Sequence, residues 1–262
     1  MLAPWESGSV GKRRRIVRIF AAALALSAGL TAHAASAQEG VDLELVLLAD
    51  ASRSIDDGEI AFQRQGYAAA LTHPDVLAAV SHGYEQRIAI TYVEWGDADW
   101  QDVVVPWTIV DGPESAEDFA ARLMAAPRRA TGPNAIGNAL AAAHALIDGN
   151  AVEGTRKVID FSADSAYSGG GVPVGMARAA AISSGITING LAILCRRCES
   201  GRPIDYDLES AFSSFIVGGD GHFVVTADGD DRFAEAVRRK LILEIAGGRP
   251  APRLIEAGGL IS

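Results

Sequence analysis

The sequence predicts an α/β fold: a Rossmann-like, doubly wound, mainly parallel six-stranded sheet with helices on both faces and one antiparallel edge strand. Three observations predict it. Short apolar runs alternate with stretches of helical period along most of the chain. Leu43 to Ala49 is apolar at nearly every position, the pattern of a strand buried on both faces. Arg87 to Trp95 and Gln101 to Val110 are strand-like runs separated by the polar turn Gly96-Asp97-Ala98-Asp99, so they form a hairpin and hence one antiparallel pair.

The elements follow in order. After the strand Leu43 to Ala49 comes an amphipathic helix from about Asp56 to Val80, with a break at Pro74, which cannot donate inside a helix. Pro106 in the second hairpin strand suits an edge, where no ladder hydrogen bond is lost. Helices are expected over Ser115 to Ala126 and Ala135 to Ile147, then a strand Lys157 to Ala163, a helix Val174 to Ser184 and a strand Ile186 to Leu194. A short helix near Leu208 to Phe215 and a strand His222 to Ala227 precede the last helix, Asp231 to Ala246. There Phe233, Val237 and Leu241 recur at i, i+4 and i+8.

Residues 1–37 read as a signal peptide. Lys12, Arg13, Arg14, Arg15 and Arg18 form a basic segment, Ile19 to Leu30 an apolar one too short to span a bilayer comfortably, and Ala35-Ser36-Ala37 a small-residue cleavage site. The expected organisation is a folded domain over residues 38–246 and a loosely ordered, Gly- and Pro-containing tail over 247–262. The expected location is periplasmic or secreted, with no stable membrane insertion after cleavage; the oligomeric state is not legible. Cleavage removes five basic side chains and one acid, so the formal charge moves from −10 to −14. Such an acidic domain repels nucleic acid and favours cations or basic surfaces.

Chemistry concentrates at Asp50, Ser52 and Ser54 in LELVLLADASRSID, where the first apolar run stops at a carboxylate followed by two hydroxyls at two-residue spacing. In parallel sheets ligands bind beyond the carboxyl ends of the strands. One anionic and two neutral oxygens suit a hard cation such as Mg²⁺. The competing explanation is that Ser54 and Asp57 form a Ser-x-x-Asp capping box. The metal reading demands further oxygen ligands after another strand, and Asp164, which ends KVIDFSA and opens DSAYSGGG, meets that demand. Asp160, inside the strand, is a weaker candidate.

These residues resemble the von Willebrand factor A-like (VWA) family, and within it the DUF1194 group of bacterial exported proteins. The resemblance covers about residues 41–246 and rests on DASRS, on Asp164, and on the segments NAIGNAL, FIVGGDGHFVV and RRKLILEIA. It implies a metal-ion-dependent adhesion site (MIDAS) for Mg²⁺, Mn²⁺ or Ca²⁺. Ser52 and Ser54 are implied as direct ligands, Asp50 and Asp164 as ligands mostly through water, and a protein partner's acidic residue as the remaining one. One departure stands out: the family's ligand threonine falls on Asn134, and the nearest threonine is Thr131, so both remain candidates.

Other residues compete weakly. Asp97 and Asp99 lie at the same end of the sheet but read as a solvated turn. Trp95, Trp100 and Trp107 read as strand packing, and the scattered histidines make no HExxH pair. Cys195 and Cys198 read as a disulfide staple in an oxidising compartment. The expected function is therefore a non-enzymatic binding module. A metal-assisted hydrolase or phosphotransferase is the alternative, although there is neither a Walker A loop nor a GxSxG elbow. A Cys-x-x-Cys thiol oxidoreductase is a further alternative.

Overall fold

The computed structural model describes residues 38–194, 206–228 and 230–247. The described residues belong to one compact unit. The expected signal peptide, Cys195, Cys198 and the expected tail beyond Gly247 lie outside the described residues.

The main sheet is built of β2 (Leu43–Asp50), β3 (Ile88–Trp95), β4 (Gln101–Val110), β6 (Lys157–Ala163), β7 (Ile186–Leu194) and β8 (Val224–Asp228), in the order β4-β3-β2-β6-β7-β8. Only β3 and β4 pair antiparallel. Pro106 sits in β4, an edge strand, as its missing N–H requires. All of β2 is buried, and its alternate residues serve two cores. Leu45 and Leu47 face one layer with Tyr67, Phe119, Phe233, Val237 and Leu241. Val46 and Leu48 face the other with Ile136, Leu140, Phe161 and Phe212. The helices of the first layer are α1 (Asp57–Leu71), α2 (Pro74–Ser81), α3 (Pro113–Ala125) and α7 (Asp230–Ile245). Those of the second are α4 (Ile136–Asp148), α5 (Val174–Ser183) and α6 (Leu208–Phe215).

One detail bears out the expected break at Pro74, and one departs from the sequence reading. The stretch 56–80 is two helices, since Pro74 begins α2 and His73 caps it by accepting from Asp75 N at 3.2 Å. A second, two-stranded parallel sheet pairs β1 (Glu39–Val41) with β5 (Val152–Gly154). Three residues per strand give too short an apolar signal to stand out. The buried Glu44 carboxylate holds β5, accepting from Gly154 N at 2.7 Å and from the Asn150 amide at 2.5 Å.

Asp160 is accounted for within the core. It lies mid-strand in β6, on the α7 side, with its Oδ1 2.6 Å from Lys240 Nζ. Lys240 also reaches Glu244 Oε1 at 2.6 Å, and Asn189 donates to that oxygen at 3.0 Å. All four side chains are buried, which leaves two acids sharing one lysine. Burial, and next the Asp160 charge, push the Glu244 carboxyl up to about 7, against the opposing pull of Lys240. The folded state thus holds this proton more tightly than the unfolded chain. The stability it contributes is present at acid pH and is lost as pH rises from the unfolded carboxylate range through about 7. Thermal melts in EDTA between pH 5 and 8 should show Glu244→Gln losing less stability with rising pH than the unaltered chain; parallel curves contradict the assignment.

Candidate metal centre

Strand order reverses at β2: the chain places β3 on one side of it and later β6 on the other. The carboxyl ends of β2 and β6 therefore open a crevice, the usual ligand position in such sheets. Asp50 ends β2, and Asp164 follows β6 by one residue.

Three loops meet there. The first, Ala51 to Asp56, is tethered through its backbone. Ala51 N donates to Trp95 O at 2.9 Å, Arg53 N to Gly132 O at 2.8 Å, and Ile55 N to Ser52 O at 3.0 Å. Helix α1 begins immediately afterwards, capped by Asp56 rather than Ser54. Asp56 Oδ1 accepts from Glu59 N at 2.8 Å, and Glu59 Oε2 accepts from Asp56 N at 2.7 Å. The Ser54–Asp57 capping box is thus corrected: an Asp-x-x-Glu box two residues on caps the helix and leaves the Ser54 hydroxyl free for the crevice.

The predicted carboxylates and hydroxyls do come together. Ser52 Oγ and Ser54 Oγ are 3.2 Å apart, and the Ser54 hydroxyl donates to Asp164 Oδ1 at 3.5 Å, across 110 positions of sequence. Asp50 is fully buried; its Oδ1 accepts from Ser52 N at 2.8 Å, while its Oδ2 is buried without a hydrogen-bond partner. Burial, and then the neighbouring Asp164 charge, raise the Asp50 carboxyl to about 7. Asp164 is likewise raised, by burial. Two carboxylates in one crevice with an orphaned buried oxygen fit a cation, since a positive charge between them would offset the burial and repulsion that raise both acids. The donor set is all oxygen. Among the described residues no three or more His, Cys, Asp or Glu side chains group as metal ligands. Two carboxylates and two hydroxyls are hard oxygen donors, the type that suits a hard ion.

The third loop, Thr131 to Asn134, closes the rim. Gly96 permits this, because a Cβ there would lie 2.2 Å from Thr131 O. Gly132, at φ +114°, adopts a conformation that suits glycine. Thr131 O accepts from Asp97 N at 3.2 Å, whereas Asn134 O accepts from Gly169 N and, at 3.4 Å, from the Ser168 hydroxyl. The loop thereby bridges the segments after β2, β3 and β6. Thr131 is exposed and Asn134 half-buried. Neither side chain hydrogen-bonds to Asp50, Ser52, Ser54 or Asp164.

Sequence reasoning missed the supports beneath the site. Arg128 Nη2 donates to Ala51 O at 3.1 Å and to Ile55 O at 2.7 Å, and its Nη1 pairs with Asp57 at 2.7 Å, so one guanidinium clamps the whole first loop. Gln63 donates to Asp50 O at 3.2 Å. Arg64 meets Glu94 in a buried two-pronged pair at 2.7 and 2.9 Å and also donates to Ala126 O and Pro127 O. The Arg-Arg pair at 128 and 129, just before the third loop, was the available signal. Trp95 is fully buried and stacks on Phe161 at 5.3 Å, and Trp107 donates to Leu146 O at 3.2 Å, both as packing residues; Trp100 is half-exposed. Asp97 and Asp99 form a turn in which Asp99 N donates to Asp97 Oδ1 at 3.0 Å.

The family described as "Protein of unknown function (DUF1194)" matches residues 40–249. No curated protein sequence matches the chain. Among solved structures it is similar to the vWF domain of the type V pilus tip protein Mfa5 from Porphyromonas gingivalis, with 10% identity over 81% of this chain and 98% of that one and a TM-score of 0.52. It is also similar to the pilus adhesin SpaC from Lactobacillus rhamnosus GG, with 13% identity over 78% of this chain and 30% of that one and a TM-score of 0.53. A third is proximal thread matrix protein 1 (PTMP1) of the mussel byssus, in a structure with a zinc-occupied MIDAS motif: 16% identity, 80% of this chain, 49% of that one, TM-score 0.56. The chain spans less than two thirds of the length of SpaC and PTMP1. These identities speak to fold, while the family match runs over most of the sequence: the chain belongs to the DUF1194 family and has the fold of a von Willebrand factor A domain.

Proposed function

We propose that this chain is an exported binding module that holds a divalent cation, Mg²⁺ or else Mn²⁺ or Ca²⁺, in the crevice between β2 and β6 and recognises a protein that offers an acidic residue to it. The observation that carries the reading is Asp50: a fully buried carboxylate with an unpartnered oxygen, beside a second carboxylate and two inward hydroxyls. The zinc-occupied MIDAS motif of PTMP1 supports it by analogy, as do the adhesin roles named for SpaC and the pilus tip role named for Mfa5.

Each residue has a definable task. Ser52 and Ser54 offer neutral oxygens, and Asp50 and Asp164 offer negative charge directly or through water. Asn134 or Thr131 offers a donor from the third loop. Arg128 and Gln63 hold the first loop by its carbonyls, so the hydroxyls need little reorganisation. When bound, the ion supplies a positive centre that neutral hydroxyls leave partly unneutralised, which an incoming carboxylate completes. Export rests on the signal peptide of residues 1–37. Among the described residues no helix is long and apolar enough to cross a membrane.

Isothermal titration with Mg²⁺, Mn²⁺ and Ca²⁺ should give one saturable site that Asp50→Ala abolishes and Ser54→Ala weakens about tenfold or more. Saturation unchanged by Asp50→Ala sinks the reading. Because Asp50 takes up a proton near 7, that proton competes with the ion. Affinity should be level above pH 7 and fall about tenfold per unit below it, with proton release visible as a buffer-dependent heat; affinity flat from pH 8 to 5.5 contradicts the role given to Asp50. Between the third-loop candidates, Asn134 is the half-buried one and is tied to the Asp164 segment. Asn134→Ala should weaken the ion and Thr131→Ala should not, in the same titration.

A further inference from the structure

Resting on that metal reading, we infer that Arg53 is a second anchor of the same site, and that the recognised segment of the partner carries two carboxylates two positions apart: one for the ion and one for the Arg53 guanidinium. Arg53 lies between the two hydroxyl residues. Along this loop the exposure alternates: Ser52 is buried, Arg53 exposed and Ser54 partly buried. The Arg53 backbone is held, its N–H donating to Gly132 O at 2.8 Å, so its side chain starts from a defined point on the rim of the crevice.

The guanidinium itself makes no hydrogen bond or ion pair among the described residues. Nearby acids are engaged elsewhere: Asp57 pairs with Arg128 at 2.7 Å, and Asp56 and Glu59 form the capping box of α1. The crevice side of the loop thus presents oxygens to a cation, while its outer side presents a permanent cation to solvent. On a chain of formal charge −10, an acidic ligand meets net repulsion, and one local positive centre has to overcome it alone. A second centre one residue from both hydroxyl groups changes that balance.

Geometry sets the spacing. In an extended peptide, residues i and i+2 point to the same face, about 7 Å apart. An Asp-x-Asp segment laid across the rim therefore directs both carboxylates downward, and a guanidinium takes the second through two parallel hydrogen bonds. Lysine retains the charge without the fork.

The test uses the exported chain at saturating Mg²⁺ and low ionic strength, with two blocked probe peptides, acetyl-Gly-Asp-Gly-Asp-Gly-amide and acetyl-Gly-Asp-Gly-Asn-Gly-amide, followed by NMR titration or fluorescence of labelled versions. Arg53→Gln should weaken the two-acid peptide about tenfold while leaving the one-acid peptide and the Mg²⁺ affinity within about twofold, and Arg53→Lys should fall between. Equal losses for both peptides reduce Arg53 to general attraction and overturn the proposal, as does no loss for either. Mg²⁺ binding without binding of either peptide to the unaltered chain overturns it as well. Absence of Mg²⁺ binding overturns the metal reading and this inference with it, so the two failures are distinguishable.

Discussion

Two carboxylates, delivered by the ends of two neighbouring parallel strands, share one crevice, and among the described residues neither forms an ion pair with a protein cation. The same strand shows the alternative. At Asp160, in the middle of β6, the fold brings Lys240 to within 2.6 Å and the charge is answered internally. At Asp164, just past the end of β6, no ion pair forms among the described residues. The Arg128 guanidinium is turned onto the carbonyls of Ala51 and Ile55. A core acid is resolved by a core lysine, whereas the proposed function assigns the crevice acids to a cation from outside.

Much of the surrounding structure follows from keeping that crevice open and stiff. Moving the helix cap to Asp56 frees Ser54, and the capping box still satisfies the first turn of α1. The buried Arg64–Glu94 pair fixes α1 against β3 and the segment after α3, so the loop between β2 and α1 is anchored at both ends. Asn138 adds a cross-tie, donating to Ala98 O at 2.9 Å and accepting from Val172 N at 2.7 Å, which links the β3–β4 turn to the segment after β6 through α4. These contacts cost little in the folded state and limit how far the hydroxyls and carboxylates can drift apart.

The strands and helices were legible because their periods are strong: β2 is apolar at nearly every position before Asp50, and α7 repeats Phe233, Val237 and Leu241 on one face. The meeting of Asp50, Ser52, Ser54 and Asp164 was legible too, since a parallel sheet forces strand ends together and the motif supplied the residue types. What stayed hidden is long-range pairing. The Arg128-Arg129 pair marks a basic spot but not the loop it clamps, more than seventy positions earlier, and nothing local marks Lys240 as the partner of Asp160. The β1–β5 sheet was missed because three-residue strands carry no measurable period. The cap was misplaced because Ser-x-x-Asp and Asp-x-x-Glu overlap within six residues, and only geometry decides which one closes the helix.

On the proposed reading, charge favours capture over turnover at such a site. Catalysis at a crevice of this kind needs a group poised to accept or donate a proton near the reacting atoms. Here the two titratable groups, Asp50 and Asp164, are those most strongly drawn to a cation, and once ionised beside it they are held in that state. The Ser52 hydroxyl lies 3.2 Å from that of Ser54, and the Ser54 hydroxyl lies 3.5 Å from Asp164, a carboxylate that the proposed reading commits to the cation. On the proposed reading the site is a positive centre in a crevice, with the exposed Arg53 side chain in the same loop and an acidic body around both. Such an arrangement would repel most polyanions at long range and favour one whose carboxylates fall in register with the two positive points.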